Sequence, residues 1–156
     1  MKSLEEVLKP FYKRKLDEIG LDLTKTIKAF LNYNDVSASG SLINSIRYDI
    51  KSPTTFNLNL SIYADEYFKY IESGRKPGKF VPIKPLSDWL SDRGIPKEAL
   101  YPINYHIYKY GIKPKPILSK VINKNKQKYL DELTEGYSNE IKKYLKQTIN
   151  GNRKPT

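Results

Sequence analysis

An α+β fold, a small antiparallel sheet flanked by helices with a long helix at the C-terminus, is what this sequence predicts. Three observations carry it. Apolar residues recur at helical spacing over most of the chain, while period two takes over in one central stretch, residues 46–62. The length, 156 residues with 38% hydrophobic content, suits one domain, or one with an appended arm.

Ser3-Leu4-Glu5-Glu6 is a capping box, in which the Ser3 hydroxyl takes the Glu6 amide and the Glu6 carboxylate reaches back. Leu4, Val7, Leu8, Phe11, Tyr12, Leu16 and Ile19 then follow a helical stripe. Pro10 is expected to bend or restart this helix, and Gly20 to break it, before Leu23, Ile27, Phe30 and Leu31 resume the stripe. The reading is one interrupted helix or two consecutive ones, ending near residues 32–35.

Residues 37–42 form a small-residue turn opening into a short helical or extended piece. In the hairpin that follows, Ile46, Tyr48 and Ile50 alternate with Arg47, Asp49 and Lys51. Phe56, Leu58, Leu60 and Ile62 alternate with Asn57, Asn59, Ser61 and Tyr63. Ser52-Pro53-Thr54 reads as the turn, and one face of the hairpin as buried under helices.

Asp65 to Ser73 is a short helix with Tyr67, Phe68 and Ile71 inward and Gly74 just past its end. Residues 75–82, with cations and prolines around Gly78, read as a stiff exposed loop. Ile83 to Asp92 is a helix with Leu86, Trp89 and Leu90 inward, stopped by Gly94. Pro96 opens the next one, which carries Leu100, Ile103, Ile107 and Tyr110 and ends at Gly111-Ile112-Lys113-Pro114-Lys115-Pro116.

From Ile117 to about Ile149, Leu118, Ile122, Tyr129, Leu133, Tyr137, Ile141 and Tyr144 form an amphipathic stripe. A helix of that length, roughly 50 Å at 1.5 Å per residue, is expected to leave the globule in part, with a kink or break at Gly136. The division is thus 1–116 as a core with N-terminal helices, 117–149 as an assembly arm and 150–156 as a tail.

Composition excludes several chemistries. Without cysteine there are no disulfides, thiol nucleophiles or thiolate-bound metals, and a single histidine, His106, makes no His-pair metal site or proton relay. No apolar run approaches the roughly 18 residues of a spanning helix. Acidic Glu5 and Glu6 stand where a secretory signal keeps an apolar stretch, so export by that route is not expected. Asp65-Glu66 and Asp131-Glu132 are adjacent acids that do not face each other on a helix, and no phosphate-cradling glycine loop or nucleophile elbow is present. No catalytic, cofactor or metal residue is therefore assigned.

The net charge of +11 is local. Residues 99–128 hold seven lysines, Lys109, Lys113, Lys115, Lys120, Lys124, Lys126 and Lys128, and no acid. A solvated helix face is the commoner fate of such a run; the sharper reading is a docking surface for an acidic neighbour. Lysine outnumbers arginine 23 to 5, which weakens a nucleic-acid reading, because arginine supplies the fixed fork that grips phosphate and guanine.

The middle of the chain carries an ordered set of motifs. Ser39-Gly40-x-Leu42-x-x-Ser45-Ile46 leads the hairpin. Then come Tyr63-Ala64, Tyr70-Ile71-Glu72-Ser73-Gly74-Arg75-Lys76-Pro77-Gly78-Lys79, Pro82-Ile83, Trp89-Leu90, Gly94-Ile95, Ile103, Ile107, Gly111-Ile112, Pro114 and Pro116. This order, over roughly Val36 to Ile122, resembles the head–tail joining proteins of tailed bacteriophages, also called tail-completion, neck or minor capsid proteins. The resemblance implies a non-enzymatic structural subunit of the virion. It would form a homo-oligomeric ring between portal and tail, assemble in the host cytoplasm and dock to portal-proximal and tail proteins. DNA would pass nearby without specific binding, and neither cofactor nor membrane would be involved.

Two candidate contact patches follow, since a closed ring joins two different surfaces of each copy. One is the loop Arg75, Lys76, Lys79 and Phe80; Lys113 and Lys115, from the lysine run, are further candidate contact residues. The other is the stripe Tyr129, Leu133, Tyr137, Ile141 and Tyr144. Glu72 reads as a cap, a local partner of Arg75 or Lys76, or an interface acid, the local pairing ranking first; Trp89 reads as a core anchor, and Tyr101, Tyr105 and Tyr108 as core or core-edge residues. The alternative function is a basic nucleic-acid-binding accessory protein using residues 109–128; a phage hydrolase ranks third, for want of a catalytic set.

Overall fold

The structure, a computed structural model, describes residues 3–33, 40–54 and 57–151. Residues 34–39, Phe56 and the tail beyond Gly151, on which parts of the sequence reading fall, lie outside the described residues. Helix α1 spans Leu4–Tyr33 and α2 Gly40–Ser45. Strands β1, Arg47–Thr54, and β2, Asn57–Tyr63, form a two-stranded antiparallel sheet. Helices α3, Tyr67–Ser73, and α4, Ile83–Asp92, follow; a 3-10 turn, Lys97–Ala99, then leads into α5, Leu100–Tyr110, and α6, Ile117–Gly151. The fold is α+β, as the change of period predicts.

The chain divides into two compact units. The first comprises Met1–Leu23, Tyr48–Ile62 and Ile122–Thr156; the second comprises Thr24–Arg47 and Tyr63–Val121.

In the first unit the capping box forms: the Glu6 N–H donates to Ser3 Oγ at 3.2 Å, and the Ser3 N–H to Glu6 Oε2 at 2.7 Å. Helix α1 passes without interruption through Pro10 and Gly20, where the sequence predicts a bend and a break. Pro10 removes one backbone donor, but the stripe that runs past it, with Leu8 and Phe11 on either side, is buried and holds the helix together. Gly20 is a notch. A Cβ there would lie 2.5 Å from the Tyr48 ring of β1, whose hydroxyl donates to Asp17 at 2.8 Å.

Gly136 repeats the device in α6, which likewise shows no break at its predicted one. A Cβ on Gly136 would run into the ring of the buried Phe11. Tyr12 stacks on Tyr137, with ring centroids 5.9 Å apart, and the Tyr129 hydroxyl donates to Asp22 at 2.7 Å. As residue numbers rise along α1 they fall along α6, so within this unit the two helices pack antiparallel. Tyr129 is buried, and Leu133, Ile141 and Tyr144 are half-buried. The stripe expected to stay bare on a protruding arm is therefore covered in part by the fold itself; Ile122 and Tyr137 within it, and Leu145 and Ile149 nearer the C-terminus, are exposed. Asn150 belongs to α6 and not to a tail.

The hairpin keeps period two. Tyr48, Ile50, Leu58, Leu60 and Ile62 are half-buried while Arg47, Asp49, Lys51 and Asn59 are exposed. Its apolar face is less covered than predicted, and residues 52–54, expected as the turn, belong to β1.

In the second unit Leu86, Leu90 and Leu100 form a core against which Val81, Trp89, Ile95, Ile103 and Ile107 pack, so Trp89 joins the core at its half-buried edge. Helix α4 occupies its predicted span, whereas α3 starts two residues late and only its Ile71 is buried. Pro96 precedes the 3-10 turn and does not enter a helix. The Asp65 N–H donates to Ser45 Oγ at 3.0 Å, tying α2 to the approach to α3.

Gly136→Ala tests the notch. In an open helix the change stabilises by about 1 kcal/mol; here overpacking against Phe11 makes it destabilising by about 1–3 kcal/mol in urea unfolding. Adding Phe11→Leu recovers most of the loss. Stabilisation by Gly136→Ala alone would refute the packing described.

Candidate functional site

The second unit brings together the two ends of the motif set. Gly74 closes α3 at φ 71°, ψ −172°, and Gly111 closes α5 at φ 72°, ψ −165°. Both conformations are accessible essentially to glycine alone. The residues that follow pair with each other: the Arg75 N–H donates to the Ile112 carbonyl at 2.9 Å, and the Ile112 N–H to the Arg75 carbonyl at 2.8 Å. Space is short on both sides of this crossing. A Cβ on Gly74 would stand 2.5 Å from the Ile112 oxygen, and one on Gly111 would collide with the Arg75 oxygen.

Further bonds fix what the crossing begins. The Gly78 N–H donates to the Tyr108 carbonyl at 2.7 Å, and the Lys115 N–H to the Ile71 carbonyl at 2.7 Å. The buried Asn104 clamps Val81 through both backbone groups: its Oδ1 accepts from the Val81 N–H at 2.7 Å, and its Nδ2 donates to the Val81 carbonyl at 2.9 Å. Arg75 Nη2 donates to the carbonyls of Phe80 at 2.9 Å and Lys79 at 3.4 Å, with the guanidinium over the Tyr70 ring. Arg75 thus serves its own loop, where the sequence places it as an outward contact.

Glu72 does not form the local ion pair that the sequence predicts. Its carboxylate accepts the N–H groups of Leu118 and Ser119, at 2.9 and 3.0 Å, and the Ser119 hydroxyl at 2.6 Å, capping the start of α6 from 46 residues away. Burial pushes the Glu72 carboxyl up; the bonds from Ser119, Leu118 and Ile117 outweigh it and hold the group below its ordinary value.

Outward from this locked frame point Lys76, Lys79, Phe80, Lys113 and Lys115, all exposed. Phe80, 56% exposed, stacks on Tyr108 with centroids 4.5 Å apart, and Tyr105 lies 6.3 Å beyond. Tyr101 and Tyr105, expected in or near the core, are 72% and 57% exposed. Chain order explains this: Leu100, Ile103, Asn104 and Ile107 take the inner face of α5 and leave the tyrosines the outer one. Of the seven lysines between 99 and 128, only Lys128 has a carboxylate partner among the described residues, Asp22 at 3.5 Å.

The crossing thus brings the loop of Lys76, Lys79 and Phe80 to the segment of Lys113 and Lys115, while Arg75 turns to the carbonyls of its own loop. The residues of the second candidate patch, Tyr129, Leu133, Tyr137, Ile141 and Tyr144, lie in the other unit, where Tyr129 is committed to Asp22 and Tyr137 to Tyr12. Burial and the bond to Asp22 push the Tyr129 hydroxyl well above its usual range.

Asn104 was legible in principle, as the one polar residue on an otherwise apolar helix face; the reach of Glu72 to α6 carried no sequence signal. Among the described residues no group of three or more acids or histidines is placed to hold a metal ion, and no helix is long and apolar enough to cross a membrane. Comparison of the chain with protein-family models, curated proteins and solved structures finds no match.

Glu72→Gln is expected to destabilise the protein by about 1–2 kcal/mol, the range of a lost cap. Because the folded-state carboxyl is held down, its contribution is complete above the ordinary carboxylate value of 4.5 and declines as pH falls below it. Urea midpoints of wild type and variant should accordingly converge as pH is lowered from 6 to 3. A constant gap across that range would remove the charge from the explanation.

Proposed function

We propose that the chain is a structural subunit of a tailed-phage head–tail connector, forming part of a neck ring by homo-oligomerisation. The observation that carries this reading is the locked crossing of Gly74–Arg75 with Gly111–Ile112. The segments on which the family resemblance rests meet there and hold one another through their backbones. The side chains of Lys76, Lys79, Phe80, Lys113 and Lys115 are left free to face a neighbour. A rigid loop loses little entropy on docking, its aromatic centre supplies contact area, and its cations select an acidic partner. In a ring this patch meets a different surface of the next copy, and portal-proximal and tail proteins stack on either side. The location that goes with this role is the virion neck.

A second reading, nucleic-acid binding by residues 109–128, is favoured by one observation: Lys109, Lys113, Lys115, Lys120, Lys124 and Lys126 have no carboxylate partner among the described residues.

Immunogold labelling of tailed particles with antibody to this chain is expected to mark the head–tail junction. Phe80→Ser with Lys113→Glu and Lys115→Glu should prevent incorporation into particles while leaving circular dichroism unchanged. Label absent from the junction, together with duplex-DNA affinity that falls steeply with salt, would establish the second reading instead.

A further inference from the structure

Beside the locked loop, the second unit holds a cavity of about 290 Å³ that no feature of the connector reading uses. Val81, Leu86, Trp89, Ile103 and Ile107 give it apolar walls, and Arg75 stands among them. The walls are preformed. Asn104 fixes Val81, the pairing with Ile112 fixes the Arg75 backbone, and the Leu86–Leu90–Leu100 core holds α4 against α5. Arg75 is positioned but not saturated. Nη2 makes both of its hydrogen bonds to carbonyls, and Tyr70 supports the guanidinium face at 5.4 Å. Nε and Nη1 have no partner among the described residues.

We infer that this cavity binds an apolar group carrying a carboxylate, with the hydrocarbon or ring against Trp89, Ile103 and Ile107 and the carboxylate on a free donor of Arg75. A largely apolar cavity with a few placed polar groups is the usual form of a ligand site; the second charge in the lining, Glu66, pairs with Lys69 at 3.9 Å. With Nη2 taken by the loop carbonyls, a carboxylate meets the guanidinium through one charge-assisted N–H bond, from Nε or Nη1, together with its positive charge. The volume admits one large side chain or a small aromatic acid, so the ligand is either a free hydrophobic acid or the carboxy-terminal residue of a polypeptide. The cavity takes such a group whether or not the chain enters a ring.

Trp89 is the only tryptophan in the chain, so its fluorescence reports occupancy of this site. Four probes are titrated into the full-length protein: 4-phenylbutyrate, its amide, the peptide acetyl-Ser-Gly-Ser-Gly-Ala-Leu with a free carboxy-terminus, and the same peptide amidated. The expected result is a saturable change in emission with the acids and at least tenfold weaker binding of the amides. Whichever acid binds tighter identifies the source of the ligand. Arg75→Gln, which keeps a donor for the Phe80 carbonyl, should weaken the acids at least tenfold and leave the amides unchanged. Ile107→Phe, which fills the cavity, should weaken all four at least tenfold. Circular dichroism checks both variants, and Arg75→Gln decides alone if the larger ring does not fold. Equal affinity for acids and amides, binding indifferent to Ile107→Phe in a folded variant, or no saturable change with any probe would overturn the inference.

Discussion

The peptide groups of Arg75 and Ile112 face each other and exchange both of their hydrogen bonds, and the second unit depends on that exchange. It joins the end of α3 to the segment leading into α6 across 37 residues of chain. Two backbone bonds at about 1 kcal/mol net each do not by themselves offset closing a loop of that length, on the order of 3 kcal/mol. The difference has to come from what the loop encloses: the leucine core of α4 and α5, the Asn104 clamp on Val81, and the Glu72 cap on α6. Each is possible only with the crossing in register, so the element is cooperative, with the exposed lysines and aromatics carried as its outer surface.

The first unit solves a different problem by other means. Its helices are long and only moderately apolar, and close approach replaces a large core. The Phe11 ring fills the space over Gly136 and the Tyr48 ring the space over Gly20, while Asp22 takes the hydroxyl of Tyr129. The phenols of Tyr48 and Tyr129 each end on a carboxylate, so rings otherwise costly to bury keep a polar partner.

What could be read in advance follows from this contrast. Local signals were reliable. The capping box, the span of α4, the period of the hairpin and the glycine ends of α3 and α5 each depend on neighbours within a few residues. Glycine inside a helix was misleading, because its weak helix propensity is visible in the sequence and the ring that needs the space is not. The same holds for Glu72, whose nearest cations in sequence are Arg75 and Lys76 but whose carboxylate lies on the open N–H groups of α6. Of the candidate patch, the exposed lysines and Phe80 were legible from composition. The inward turn of Arg75 was not, because it depends on the carbonyls of Phe80 and Lys79 converging on one side chain.

Gly74 and Gly111 have a genetic consequence. Any codon change that replaces either residue adds at least a Cβ, and each position combines a backbone angle closed to other residues with a carbonyl oxygen where that atom would go. In a random mutant library selected for any activity of this chain, both codons would therefore stay nearly invariant. They would score as strongly as a catalytic pair while touching no ligand. Intolerance at these two positions marks the frame, and tolerance at their neighbours Lys76 and Lys113 is the more informative statistic about what the frame presents.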